Sequence, residues 1–187
     1  MRPLETPRLI VREFTADDLD AVVALHDACF GPAPRDVRRA WLDWTTLNYA
    51  ALAQLHQPPY GDYAVVLKSN AEVIGAVGFV PSFGPFEKLP SFGGNPAARF
   101  TPEMGLFWAI APPHQRQGYA TEAAAAMARF ALGDLNVARL VATTEHDNAA
   151  SIAVMRKLGM TIERNPGADP AWFQTIGILR LPPPGKP

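Results

Sequence analysis

The sequence predicts an α/β fold of mixed (α+β) character, and three observations predict it. Two helical patterns follow a short opening strand, two β-rich runs next to each other carry hairpin spacing, and a strand–helix–strand succession lies near the middle. The opening strand is 8–14, RLIVREF, with Thr15 placed as an N-cap. From Ala16 to Phe30 the apolar residues Leu19, Val22, Val23, Ala28 and Phe30 recur at helical intervals until Gly31, Pro32 and Pro34 stop them. Residues 36–56 form a second helical pattern along Val37, Trp41, Trp44, Leu47, Ala51, Leu52 and Leu55, closed by Pro58 and Pro59.

The runs 63–67 and 73–80, separated by KSNAE, read as a hairpin. Residues 81–102 hold five prolines, three glycines and four phenylalanines without a period, so a long loop is expected there, its aromatic side chains packed on something. An apolar strand at 104–111, a helix at 118–132 and a strand at 139–144 make a β-α-β unit. A crossover of that length implies parallel strands. A helix at 148–158, ended by Gly159, and strands at 160–164 and 173–181 complete the chain. The reading is one domain over 1–181, with 182–187 a frayed Pro-rich tail.

Composition narrows the function classes. The 17 basic and 18 acidic residues balance, which leaves no electrostatic footprint for nucleic acid or an anionic membrane. No apolar run reaches the length of a signal peptide or a membrane helix, so the expected compartment is the cytoplasm. The single cysteine, Cys29, falls in an apolar helical pattern and reads as a core thiol, and the four histidines match no zinc spacing, so no metal is expected.

The most informative stretch is AIAPPHQRQGYATEA. A buried strand ending at Ile110 turns through Gln115, Arg116, Gln117 and Gly118 into a helix whose first turn, Tyr119, Ala120, Thr121, carries little bulk. The unpaired N–H groups of a helix start, at the positive end of its dipole, suit a phosphate or pyrophosphate. Gly118 leaves room for the approach, Ala120 keeps the next position small, and Arg116 could meet an outer phosphate. A plain strand-to-helix turn is the alternative. Neither G-K-[ST] nor G-x-G-x-x-G is present, so a Walker loop or a dinucleotide fold is not supported. Glu122, in the same first turn, reads as structural.

Three segments in order, LETPRLIVREFTADDLDAV, APPHQRQGYATEAAAAM and DNAASIAVMRKLGM, resemble the GCN5-related N-acetyltransferases (GNAT), in the branch similar to the RimJ/RimL protein N-terminal acetyltransferases. The resemblance implies a mixed, splayed central sheet with helices on both faces and acetyl-CoA in the gap. It places the pyrophosphate on the amides of Gln115 to Thr121 and the pantetheine arm along the backbone of Trp108, Ala109 and Ile110. It also makes Asn148 a holder of pantetheine or water and Ser151 the hydroxyl near the sulfur, because the tyrosine that many relatives carry in this helix is here Met155. On their own, Asn148 could be only an N-cap and Ser151 only a first-turn residue.

Acetyl transfer also asks for a base to take the ammonium proton. Glu103 opens the cofactor strand and Glu145, His146 and Asp147 follow the next one, so all four are expected at one end of the gap, with Glu103 the named candidate against a solvated strand-end acid. Trp41, Trp44, Tyr49 and the loop residues Phe83, Phe86, Phe92 and Phe100 are candidates for the acceptor wall, core packing being the plainer assignment for the tryptophans. The activity so implied is direct transfer from acetyl-CoA to a primary amine, a protein N-terminus or a small molecule, by a monomer or homodimer. A catalytically weak CoA-binding sensor is the competing reading.

Overall fold

The computed structural model describes residues 1–180, so Leu181 and the 182–187 tail lie outside the described residues. Eight strands form one open mixed sheet in the order β1-β2-β3-β4-β5-β6-β8-β7. The strands are β1 (Leu4–Glu5), β2 (Leu9–Arg12), β3 (Gly61–Leu67), β4 (Val73–Gly84), β5 (Thr101–Ile110), β6 (Arg139–Thr144), β7 (Thr161–Arg164) and β8 (Thr175–Arg180). The four α-helices are α1 (Leu19–Phe30), α2 (Arg35–Gln54), α3 (Tyr119–Arg129) and α4 (Ala149–Lys157). Contacts group into two compact units, Met1–Phe79 with Phe107–Met127 and Val80–Leu106 with the chain from Ala128 onward, where the sequence reads as one domain.

In the first unit β3 pairs antiparallel with β2, Leu9 opposite Leu67, and with β4, Asp62 opposite Gly78. This is the expected hairpin. Helix α1 begins one turn later than its sequence pattern, because Ala16–Asp18 is a tight 3-10 turn. The Asp18 carboxylate there accepts from the Thr15 amide at 2.8 Å and receives both Arg12 terminal nitrogens at 2.7 and 2.8 Å. Phe14, Leu19, Val22, Leu25 and Leu42 pack on Ala64, Val66 and Ala76 of the sheet, with Trp41, Cys29 and Phe107 at the margin.

Two readings of this unit are corrected. Trp44 is not core but 60% exposed, and it shares α2 with exposed Val37 and Leu47, part of the apolar side expected from the sequence, because α2 packs through the neighbouring face at Leu42 and Thr45. Cys29 is half-buried rather than enclosed, its thiol 3.8 Å from the Ile110 carbonyl.

In the second unit β8 pairs antiparallel with both β6 and β7, and β6 runs parallel to β5 at the partner pair Gly105 and Val141. The expected loop is shorter than 81–102, because β4 continues to Gly84 and β5 begins at Thr101. Strand pairing overrides the local Pro and Gly content there. Within the remainder, 3-10 turns at Phe86–Lys88 and Pro90–Phe92 put Phe86 and Leu89, both fully buried, onto Val141, Phe173, Ile176 and Ile178. Phe92 packs at the edge of that cluster, while Phe83 and Phe100 are 61% and 46% exposed. Glu163 ties the turn down by accepting from the amide and hydroxyl of Ser91.

Backbones also come close at Gly75. A Cβ there would stand 2.4 Å from the Ala109 carbonyl and 2.6 Å from Ile110 Cδ1. Backbone oxygen cannot step aside, so Gly75→Ala is expected to cost about 2–3 kcal/mol. Urea unfolding should show the midpoint falling with the slope unchanged.

Candidate active site

The turn after β5 is built by conformation first. Ala111–His114 tightens through Pro112 and Pro113, with the His114 amide on the Ala111 carbonyl at 2.9 Å. The Gln115 side chain then reaches back to the Ile110 carbonyl at 2.8 Å. Arg116 (φ 60) and Gly118 (φ 86) both take the left-handed conformation, so two corners on either side of Gln117 swing the chain into α3. Arginine accepts this at a cost of about 1 kcal/mol, which glycine avoids. The first intrahelical bond of α3 runs from Glu122 N–H to Gly118 carbonyl at 3.0 Å. By helix geometry the amides of Tyr119, Ala120 and Thr121 therefore face outward.

This start is held by residues more than a hundred positions away. The Glu122 carboxylate accepts from Thr6 Oγ1 at 2.6 Å, from the Arg8 amide at 2.9 Å and from Arg8 Nε at 2.7 Å. Desolvation would raise its pKa. The hydrogen bonds from Thr6 and Arg8, with the Arg8 charge, outweigh that and hold the carboxyl below the ordinary range. Glu122 is structural, as its dipole position suggested, but its partner was invisible in sequence. The first and second motifs, LETPRL and GYATEA, are two sides of one contact.

Asn148 caps α4, its Oδ1 accepting the Ser151 amide at 3.0 Å, so the plain N-cap role is filled. Ser151 is half-buried in the first turn. Met155, one turn on, is fully buried, with its Sδ 3.0 Å from where a Gly177 Cβ would stand. That helix face packs against β8.

The four acids and bases expected together are not together. Because β5 and β6 run parallel, Glu103 sits at the N-terminal end of the pair beside Arg139, whereas Glu145, His146 and Asp147 follow the C-terminal end of β6. Glu103 is buried and receives Arg139 Nε at 2.7 Å and Nη2 at 2.5 Å. That hydrogen bonding raises the Arg139 pKa. His146 is itself fastened, Nδ1 to the Thr175 hydroxyl at 2.9 Å and its amide to Gln174.

Sequence reasoning passed over Asp62. It lies half-buried at the start of β3, its carbonyl accepting from the Tyr49 hydroxyl, and desolvation alone raises its carboxyl to about 6. An unpaired polar position at a strand start carries no spacing signal, so burial was the only clue. Among the described residues no group of three or more His, Cys, Asp and Glu could hold a metal ion, and no helix is long and apolar enough to cross a membrane.

The acetyltransferase (GNAT) domain matches residues 8–161, and the chain belongs to that family: it is a GNAT acetyltransferase. Among its relatives is the uncharacterized N-acetyltransferase YnaD of Bacillus subtilis (strain 168), 29% identical over 164 residues that cover 86% of this chain and 83% of that one. The fold is shared with Mycobacterium smegmatis RimJ in complex with CoA-disulfide, at TM-score 0.62 and 19% identity over 95% of this chain and 85% of that one. It is shared too with RimL, a ribosomal alpha-N-protein acetyltransferase in complex with coenzyme A, at TM-score 0.62 and 14% identity over 95% and 96%.

Asp62 gives a stability signature. Its folded carboxyl keeps a proton to about pH 6 that the unfolded chain releases near 4, so folding stability should fall as pH rises through that window. The size is on the order of 2–3 kcal/mol. Asp18 and Glu122, held low, slope the opposite way at lower pH. Melting temperatures of Asp62→Asn against the parent from pH 4 to 7 should show the variant gaining steadily up to about pH 6 and then holding its lead.

Proposed function

We propose that the protein transfers an acetyl group from acetyl-CoA directly to a primary amine, with both substrates bound at once. The observation that carries this is the start of α3, where two left-handed residues, a small first turn and outward amides from Gly118 to Thr121 offer what a pyrophosphate needs. A Cβ at Gly118 would point toward Arg8 Nη2 at 3.4 Å, so the position is open on the side of a cation. The backbone of Trp108, Ala109 and Ile110 would receive the pantetheine arm, and Gln115, Arg116, Gln117, Tyr119 and Asn148 would complete the contacts. The thioester supplies an activated acetyl carbonyl; everything else falls to the chain.

In this reading Ser151 places its hydroxyl at the sulfur, donating a hydrogen bond as the thiolate leaves. Glu103 remains the proposed proton acceptor only with its Arg139 pair opened; closed, the pair favours a holding role. The acceptor class, a protein N-terminus, is suggested by RimL, and small amines are the other class the family resemblance admits. A cytoplasmic protein, monomeric or dimeric, fits the composition.

A second reading is a CoA-binding sensor, favoured by Met155, which is buried and has no proton to give. Calorimetric titration separates the readings in order. Acetyl-CoA should bind with a Kd on the order of micromolar, and Gly118→Asp, which sets a carboxylate at the phosphates, should weaken it at least about tenfold. A panel of N-terminal peptides and small amines then reads turnover.

Ser151→Ala should lower kcat about 10- to 100-fold at nearly unchanged Kd, whereas a sensor shows no turnover to lose. Glu103→Gln should remove the acidic limb of the kcat/KM profile if Glu103 is the base, and should only lower stability if it holds Arg139. Absence of acetyl-CoA binding to the parent would end both readings.

A further inference from the structure

Arg8 lies outside every segment assigned to the cofactor, yet it touches Gln117, Tyr119 and Glu122 around the α3 start. Its Nη1 donates to the Gln117 carbonyl at 3.0 Å, its Nε and Nη2 meet Glu122 Oε2 at 2.7 and 2.6 Å, and its guanidinium carbon lies 4.3 Å from the centre of the Tyr119 ring. Its side chain is 45% exposed, and its Nη2, which meets Glu122 Oε2, is also the nitrogen beside Gly118, 3.4 Å from where a Cβ there would stand.

Electrostatics say why such a residue is needed. A helix start carries the equivalent of about half a positive charge. Glu122, in the first turn and held in its charged form, brings a whole negative one to the same place. The sum is unfavourable for a pyrophosphate. One guanidinium bound to that carboxylate reverses the sign, and its hydrogen bond to the Gln117 carbonyl offsets part of that oxygen's negative charge.

We propose that Arg8 is part of the phosphate site: it cancels the charge of Glu122, fixes the Gln117–Gly118 peptide and presents a guanidinium to the coenzyme's pyrophosphate beside Gly118. This rests on the acetyl-CoA reading above. Glu122 is then a positioning residue, aiming Arg8 and accepting Thr6 on its other side.

The test is a double-substitution cycle read by calorimetry with coenzyme A, in low and in moderate salt. Arg8→Ala should weaken binding about tenfold or more in low salt, with the loss shrinking as salt rises. Glu122→Gln keeps an oxygen for Thr6 and the Arg8 amide while freeing the Arg8 charge, and should bind about threefold tighter than the parent. In Arg8→Ala/Glu122→Gln, part of the Arg8 loss should return, because the repelling carboxylate has gone. Arg8→Lys, which keeps charge but not the fork, should lie between Arg8→Ala and the parent.

The second readout is KM for S-acetylpantetheine, a thioester without the pyrophosphate. It should be insensitive to Arg8→Ala, while KM for acetyl-CoA rises and kcat stays near the parental value. Equal losses on both thioesters, or a loss that neither salt nor Glu122→Gln relieves, would overturn the proposal and leave Arg8 a purely structural residue. So would parental coenzyme A affinity in both Arg8 variants. A parent protein that binds no coenzyme A would fail the acetyl-CoA reading first, and that outcome is visible before any variant is made.

Discussion

The carboxylate of Glu122 is the constraint on which the site depends. Charged groups at a helix start are worth little when exposed, but here three donors converge on one half-buried carboxylate, and each donor is already fixed by other structure. Thr6 also exchanges hydrogen bonds with Leu9, through its hydroxyl to the carbonyl and from the Leu9 amide, so it is set by the bend that opens β2. The backbone of Arg8 is set too, its carbonyl accepting from Lys68 at the end of β3. The orientation of α3 is thus inherited from the sheet edge rather than from the turn before it. A turn with left-handed corners at Arg116 and Gly118 would otherwise leave the helix free to rotate about them.

The same logic, a carboxylate pinned by donors from a distant segment, recurs in the second unit at Glu103 with Arg139 and at Glu163 with Ser91. These pairs sit at strand ends and a turn, where ladder hydrogen bonds run out. They explain why acids that looked available for catalysis are occupied. Burial without such a partner occurs at Asp62, whose carboxyl desolvation raises.

Much of the architecture was legible in the chain. Periodicity placed all four helices and seven of the eight strands, because those segments are long enough for the apolar face to repeat; the two-residue β1 was too short to do so. The start of α3 was legible for another reason: glycine and small residues leave few alternatives. What was not legible was pairing. Nothing in LETPRL announces that Thr6 and Arg8 serve Glu122, nor in TPEM that Glu103 belongs to Arg139, because such contacts depend on which strands become neighbours. The ends of β4 and β5 were hidden likewise, since Pro81, Pro102 and Gly84 argue locally against strand and the ladder overrules them. Parallel register separated Glu103 from Glu145, which sequence order had drawn together.

The contact between Arg8 and Glu122 spans 114 positions of the chain. At translation rates of about 5–20 residues per second, the two partners leave the ribosome roughly 6 to 23 seconds apart. During that interval β2 and β3 can form their antiparallel pairing with nothing to dock at Arg8, whose charge stays in water. The start of α3 is therefore fixed by a closure event, joining the entry of β2 to a helix made after β5. A nascent chain stopped before residue 122 would hold the opening strand, the two long helices and β5, and still lack the carboxylate that orients Arg8.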